Sequence, residues 1–371
     1  MKIKTIVIVG ANGFMGNKLV AEALLKGIRV IAFARKNNEE SAEKRVLLEL
    51  EENLNADQLA NLKNSLTVYD YDINKSDLGL SSDVIKTINE TADAVFNFVG
   101  DTNFFPKDIK QSFRTNVEGP IHLIETLCNG KAVFNHVSTA YVSGSRDGVI
   151  YEAQLDEGQA FKNDYEQNKF LGEKKVHEVC AQKGIRYNIF RPSIVIRKHS
   201  VHGKSPNLNH FYSFVGLIDI VRQDAQTVTQ SSSKDTLEIP IRFLGLRKST
   251  LNFVDLDYAT QAILEIALTV QNENRTYHLV NHNPMTNQEF INTMMKLYNI
   301  KGFSIIEDKK DLTNLNFRER LVKRGLANYI SYFFVNPQFD DSSTQNAVRE
   351  AKISCPNFDS HYIARATGHF S

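Results

Sequence analysis

Six short apolar runs recur through the first 192 residues: TIVIVG, RVIAFA, LTVYDY, DAVFNF, AVFNHVS and RYNIFRP. They are rich in Val, Ile and Phe and mostly continuous rather than alternating, the pattern of strands buried on both faces. Amphipathic stretches separate them. Ala42, Val46, Leu47, Leu50 and Leu54 share one helical face, and NKLVAEALLKG ends in Gly27, a helix stop. Strand–helix alternation over about 190 residues predicts an α/β fold of the Rossmann type, a doubly wound parallel sheet. Residues 1–195 are expected to form this unit.

After Pro192 the rhythm breaks. NLNHFYSFVGLIDIVRQ predicts a helix, DAQTVTQSSSKD a polar loop, IPIRFLG and LNFVDLD short strands, and YATQAILEIALTV another helix. Thr286 and Glu289 have the spacing of a capping box before FINTMMKLY. Residues 196–371 are therefore expected to form a smaller α+β substrate lobe with a C-terminal helical segment, and strands within 237–257 are candidates to extend the main sheet. ANYISYFFV fits a substrate wall, a dimer face or core, and core is the commonest fate of such a run.

The totals narrow the class. A chain of 371 residues suits one large domain, or one with a smaller partner. With 42% hydrophobic and 23% charged residues it has the composition of a soluble globular protein, and a net charge of +1 gives no general reason to expect a nucleic-acid or anionic-membrane surface. No apolar run reaches membrane-spanning length, and the start has no signal-peptide pattern. Cys128, Cys180 and Cys355 are far apart, without metal-ligand or disulfide spacing. A reduced cytoplasmic setting is expected.

VIVGANGFMGNKLV places Gly10, Gly13 and Gly16 between the first predicted strand and the first predicted helix. Glycine at the first position permits a tight turn, at the second a close approach to a pyrophosphate, and at the third close packing of helix on strand. Free N–H groups and the positive end of the helix then face the phosphates. A dinucleotide site also needs a group for the adenosine ribose. A carboxylate at the end of the second strand would accept from the ribose diol and repel a 2′-phosphate. Here Phe33 and Ala34 end the run, and Arg35 and Lys36 follow. A guanidinium binds phosphate with two hydrogen bonds and an ammonium adds charge, so the expected cofactor is NADP(H) rather than NAD. The bland alternative makes Arg35 a solvated loop residue. Asp72, after the third strand, is placed to touch the adenine.

NDYEQNKFLGEKKV holds Tyr165 and Lys169 four apart, on one face of a predicted helix. A phenol has a pKa of about 10, and a nearby ammonium and the positive nicotinamide of the oxidised cofactor lower it by favouring the phenolate. Such a pair can give or take a proton at a carbonyl oxygen during hydride transfer. Tyr–x–x–x–Lys spacing alone also occurs in surface contacts, but here it lies on the helix after the fifth strand of a chain with a glycine turn. Ser138 and Thr139 stand at the C-terminal end of that strand, where ligands of doubly wound sheets bind. Asn116 either holds a relay water or fixes backbone.

GANGFMG, STAYV, Tyr165-x-x-x-Lys169 and RPS, in this order, resemble the extended short-chain dehydrogenase/reductase superfamily over residues 4–285. Within it the chain is similar to thioester reductases and fatty acyl-CoA reductases, of the male-sterility type. The matching segments are FARKNNEESAEKRVLLELEENL, DINKSDLGLSSD, NVEGPIHLIETL and FNHVSTAYVSG, with a shorter tail match around Phe339-Asp340 and Cys355-Pro356. The resemblance implies a catalytic triad of Thr139, Tyr165 and Lys169, with Asn116 beside it and Thr139 chosen over Ser138 for the triad. It implies NADPH held by Gly10, Asn12, Gly13, Phe14, Met15, Gly16, Arg35, Lys36, Asp72, Ile73, Val99, Gly100, Lys169, Pro192 and Ser193. Ser138 and Asp101 would face substrate. The implied reaction is reduction of an acyl thioester, on coenzyme A or an acyl carrier protein, to an aldehyde, with an alcohol as the product of a second hydride transfer.

Two departures stand out. FVGDTNF, with Asp101, replaces the Ala-Ala pair common after the fourth strand, and Ile196-Arg197 replaces the usual Gly-Asp after RPSIV. The basic cluster Arg197, Lys198, His199, His202 and Lys204 suits either pantetheine phosphates or a solvated loop. Other extended-family chemistry (ketone or aldehyde reduction, alcohol oxidation, sugar-nucleotide epimerisation) and a non-catalytic cofactor sensor are the competing functions. Intact Thr139, Tyr165 and Lys169 argue against the sensor. A homodimer is compatible with the sequence; metal and nucleic-acid sites are not expected.

Overall fold

A computed structural model describes residues 3–198, 210–232, 235–269 and 273–368. Its centre is a seven-stranded sheet: β1 (Thr5–Val9), β2 (Arg29–Ala34), β3 (Leu66–Asp70), β4 (Ala94–Asn97), β5 (Val133–Val137), β6 (Tyr187–Pro192) and β7 (Arg275–Leu279). The spatial order is β3-β2-β1-β4-β5-β6-β7, every pairing parallel. The order reverses between β1 and β4. Such a switch point opens a crevice at the C-terminal strand ends, and there Val9 lies beside Phe33 on one side and Asn97 on the other.

Helices cover both faces. On one side α1 (Phe14–Leu25), α2 (Ala42–Leu50) and a later helix, Leu256–Ala267, share a core with Ile6, Ile8, Val30 and Phe96. On the other, Leu123, Leu127, Val176 and Cys180 pack on Val7, Val9, Val95 and Phe134. The Ser41 side chain caps α2, and Ala42, Val46, Leu50 and Leu54 are buried as their spacing predicted, although the helix stops at Leu50.

The lobe has its own aromatic core, in which Phe211, Phe253 and Phe290 pack at centroid distances of 5.4 to 6.2 Å. Its expected capping box is formed: Thr286 accepts from the Glu289 N–H while the Glu289 carboxylate accepts from the Thr286 N–H. Three expectations shift. The helix beginning at His210 runs to Thr229, through the first half of the expected loop; the Thr227 and Thr229 hydroxyls donate to carbonyls four residues back. Within 237–257, Leu237–Leu244 pairs with Ile300–Ile306, and Phe253–Asp255 with Ile194–Ile196; neither joins the main sheet. Leu237–Leu244 is buried on alternate residues, which suits a strand with one wet face. The sheet's last strand is β7, whose Tyr277, His278 and Leu279 are all buried. The tail then returns to the first unit: Pro337–Phe339 pairs with Gly148–Ile150, and Ser342–Val348 packs on Leu256–Ala267 and β7. No helix among the described residues is long and apolar enough to cross a membrane.

Candidate active site

The glycine turn closes on itself. The N–H groups of Gly10 and Ala11 donate to the Phe33 carbonyl, tying the turn to β2. Gly10 has φ +85°, and a Cβ at Gly16 would lie 2.3 Å from the Gly10 carbonyl oxygen, so only glycine fits there. Gly13 caps α1 with no side-chain bond to its N–H groups and no acid in its first turn. The amide of buried Asn17 donates to the carbonyls of Ala11 and Val46 (both 3.1 Å), fixing turn and α2 together. Asn12, Phe14 and Met15 lie half-buried on this turn. A bare helix N-terminus above a cradle that a Cβ would fill suits a dinucleotide pyrophosphate.

At the end of β2 the two cations separate. Lys36 is paired with Asp70, by its ammonium and its N–H (both 3.0 Å), at the exposed end of β3. Arg35 is exposed and forms no ion pair among the described residues. Its carbonyl accepts from Arg45 of α2, a neighbouring guanidinium that spacing alone does not announce. Asp72 accepts from the Asn74 N–H and amide, an Asx turn that occupies one carboxylate oxygen. Ile73 is buried where a Cβ at Gly119 would come within 2.6 Å of it.

α3 (Asp164–Lys183) carries the reactive pair. Lys169 is buried and donates to the Val137 carbonyl at 2.7 Å. Burial lowers its pKa to about 8, against the pull of Glu173. Among the protein's own groups, burial raises the Tyr165 pKa to about 12, Thr139 opposes this, and the Glu166 charge reinforces it. The protein's own groups keep this phenol protonated. Thr139 also caps the turn Ala140–Ser143 and reaches the Pro192 carbonyl. Gly100 adjoins the pair: a Cβ there would sit 3.9 Å from the Lys169 nitrogen. The neighbouring Val99 is fixed by its N–H bond to Asn97.

Several expected roles move. The Ser138 hydroxyl is buried and has no hydrogen-bond partner among the described residues. Nearby Glu173, despite burial, is held well below the usual carboxylate range by the Arg191 guanidinium. Asn116 sits in a π-helical turn, Arg114–Glu118, and both ends of its amide bond the backbone of Asp101 (2.8 and 2.9 Å); this is the backbone-fixing alternative. The Asp101 carboxylate is engaged by Asn103. Ser193 is buried and donates to Asn252 at 2.8 Å. Lys198 pairs with Asp255 at 3.5 Å, while His199, His202 and Lys204 lie outside the described residues.

Sequence patterns did not expose the lobe's contribution. Tyr332, in ANYISYFFV, donates to Glu166 at 2.6 Å and accepts from Asn163 at 2.9 Å. Its ring stacks on Phe104 (5.5 Å), which stacks on Tyr165 (6.0 Å). It also meets Tyr141 edge-on, two residues from Thr139. Beyond Tyr329 and Tyr332 lies an apolar cavity lined by Phe211, Phe214, Phe290 and Phe333. The run is thus core and site wall at once.

The model of the family described as Male sterility protein matches residues 8–280. A nonribosomal peptide synthetase, asaC, of Aspergillus flavus is 26% identical over 293 residues, covering 75% of this chain and 26% of that protein. An alcohol-forming fatty acyl-CoA reductase of Simmondsia chinensis is 29% identical over 199 residues, covering 48% of this chain and 40% of that protein. The chain thus spans less than half the length of either relative. Among solved structures, the terminal R domain of the myxalamid PKS-NRPS biosynthetic pathway superposes with a TM-score of 0.75 at 22% identity, covering 99% of this chain and 90% of that one.

Proposed function

The chain belongs to the male sterility protein family of extended short-chain dehydrogenase/reductases, and on that footing we propose that it is an NADPH-dependent reductase of acyl thioesters. The observation that carries this reading is the placement of Thr139 and Tyr165 together beside Lys169, at the C-terminal sheet edge next to the glycine turn. Gly10, Gly13 and Gly16 with the N–H groups of Phe14 and Met15 would hold the pyrophosphate. Arg35 would take the 2′-phosphate, with Arg45 supporting it. The cofactor, when bound, supplies the hydride.

The protein's part is protonic and positional. Thr139 and Tyr165 hydrogen-bond the thioester carbonyl oxygen and stabilise the charge that develops there. Tyr165 then gives its proton to that oxygen, a transfer favoured by a phenol that the protein keeps protonated. Lys169, fixed on the Val137 carbonyl, sets the field around the phenol. Collapse of the resulting hemithioacetal releases thiol and aldehyde. An acyl carrier protein is a fitting donor, since one relative is a nonribosomal peptide synthetase.

The test is a panel of short and long acyl-CoA and acyl-pantetheine thioesters, with NADPH absorbance followed and products identified. Tyr165→Phe is expected to lower turnover by about 10²–10⁴-fold, the usual share of general acid catalysis. Arg35→Ala is expected to weaken NADPH by about 1.5–3 kcal/mol while leaving NADH unaffected. A wild-type protein that binds NADPH but reduces only ketones or free aldehydes would overturn the thioester assignment.

A further inference from the structure

Arg197 stands where the resembling family has aspartate, and the structure carries it away from the substrate-phosphate cluster that its sequence neighbours suggested. It follows the strand Ile194–Ile196, and its backbone is gripped by one lobe residue. The Tyr212 hydroxyl accepts from the Arg197 N–H and donates to its carbonyl, both at 3.0 Å. So held, the side chain crosses to the first unit. Its guanidinium lies 5.3 Å from the ring centroid of Phe14, the first residue of α1. It donates to Asn53 at 3.2 Å; Asn53 donates to Asn17 at 2.8 Å, and Asn17 to the Ala11 carbonyl at 3.1 Å. A three-residue relay thus ties this cation to the glycine turn.

The electrostatics of this placement favour a further anion. The head of a helix carries a partial positive charge, and here it has neither an acid in its first turn nor a capping side chain. A second positive charge beside it adds to that potential. The buried Glu52 carboxylate offsets part of the Arg197 charge as a loose ion pair at 3.9 Å, beyond hydrogen-bond length. Of the five guanidinium N–H donors, the described residues engage one in a hydrogen bond. The side chain is only 14% exposed, so its position is set by packing.

We propose that Arg197 is a cofactor-binding residue, a lobe-borne cation that closes over the pyrophosphate at the head of α1. The proposal rests on the reading of the glycine turn as a dinucleotide site and extends it to the opposite wall. A pyrophosphate there would be bonded by backbone N–H groups from below and by a guanidinium from the lobe side, so nucleotide binding would draw the lobe and the sheet together.

Three nucleotides separate the outcomes, titrated by calorimetry into the full chain without acyl substrate. NADPH has both a pyrophosphate and a 2′-phosphate, ADP-ribose has the pyrophosphate alone, and adenosine 2′-monophosphate has the 2′-phosphate with no phosphate on the 5′-hydroxyl. Arg197→Gln is expected to weaken NADPH and ADP-ribose roughly ten- to a hundredfold, the scale of a charge-assisted hydrogen bond, and to leave adenosine 2′-monophosphate unchanged. Arg35→Ala is expected to weaken NADPH and adenosine 2′-monophosphate and spare ADP-ribose. Unchanged ADP-ribose affinity in Arg197→Gln would overturn the proposal. So would an equal loss for all three nucleotides, which would mean that the substitution merely loosened the fold. No thioester enters the experiment, so failure of the thioester assignment would leave its result standing.

Discussion

The two halves of the site are built by different means. Around the glycine turn the working parts are backbone: a positive φ at Gly10, a missing Cβ at Gly16, N–H groups at the head of α1. On the lobe side they are side chains delivered from far along the chain, with Tyr332 reaching Glu166 across 166 residues and Arg197 reaching Asn53 across 144. A backbone device is written in consecutive residues. A packing device exists only once the lobe has folded. The first half should therefore govern nucleotide affinity through local geometry; in the second, Arg197 should add to that affinity, while Tyr332 should govern turnover through the placement of Tyr165.

Gly16→Ala tests the first half most severely. The new methyl would meet the Gly10 carbonyl oxygen at 2.3 Å. Overpacking of this kind costs about 1–3 kcal/mol, a factor of roughly ten to a hundred in affinity when the binding conformation is the one penalised. The expected outcome is a large loss of NADPH binding by calorimetry. Full NADPH affinity in this variant would show that the turn is not the cradle.

Tyr332→Phe tests the second half. It removes the donor to Glu166 and the acceptor from Asn163 while keeping the stacked ring. Leaving such buried partners unsatisfied costs about 1–3 kcal/mol in stability. Thermal unfolding should show this, together with a fall in kcat and little change in NADPH affinity. If nucleotide affinity falls as far as kcat, the division between the halves is wrong.

The smallest effect concerns the seam between them. Lys169 is cationic below about pH 8, because burial lowers its pKa, and Tyr165 is protonated below about 12. Reduction requires both protons, so kcat/KM should be level at lower pH and fall as pH rises through about 8. Lys169→Arg, which stays charged, should move that limb upward in whatever activity it retains. A limb that stays in place would assign it to another group.

What could be read in advance follows the same division. The parallel sheet, the glycine turn, and Tyr165 with Lys169 lie within short windows, and each was legible as a pattern of spacing. Ser138 and Thr139 could not be separated by pattern because two adjacent hydroxyls at a strand end look alike until the phase of the strand is known. The pairing of Lys36 with Asp70 was not legible because the two are 34 residues apart, on β2's end and β3. Asn116 could be narrowed to two roles; the π-helical turn that brings its amide onto Asp101 has no sequence signature here. Phe104, Glu166 and Tyr332 carry no motif at all. Each acquires its role from tertiary contacts alone.

The returning tail has a consequence for the order of folding. Residues 337–348 complete a parallel strand pair with Gly148–Ile150, and the N–H groups of Ser343 and Thr344 satisfy the buried Glu152 carboxylate from 191 and 192 residues away. During synthesis, a nucleotide half that has already emerged would wait for most of the remaining polypeptide before that carboxylate gains these partners. Loop closure on this scale slows the final step. The lobe, lying between the two attachments, would be assembled before the nucleotide half is sealed, so maturation ends at the seam on which the chemistry depends.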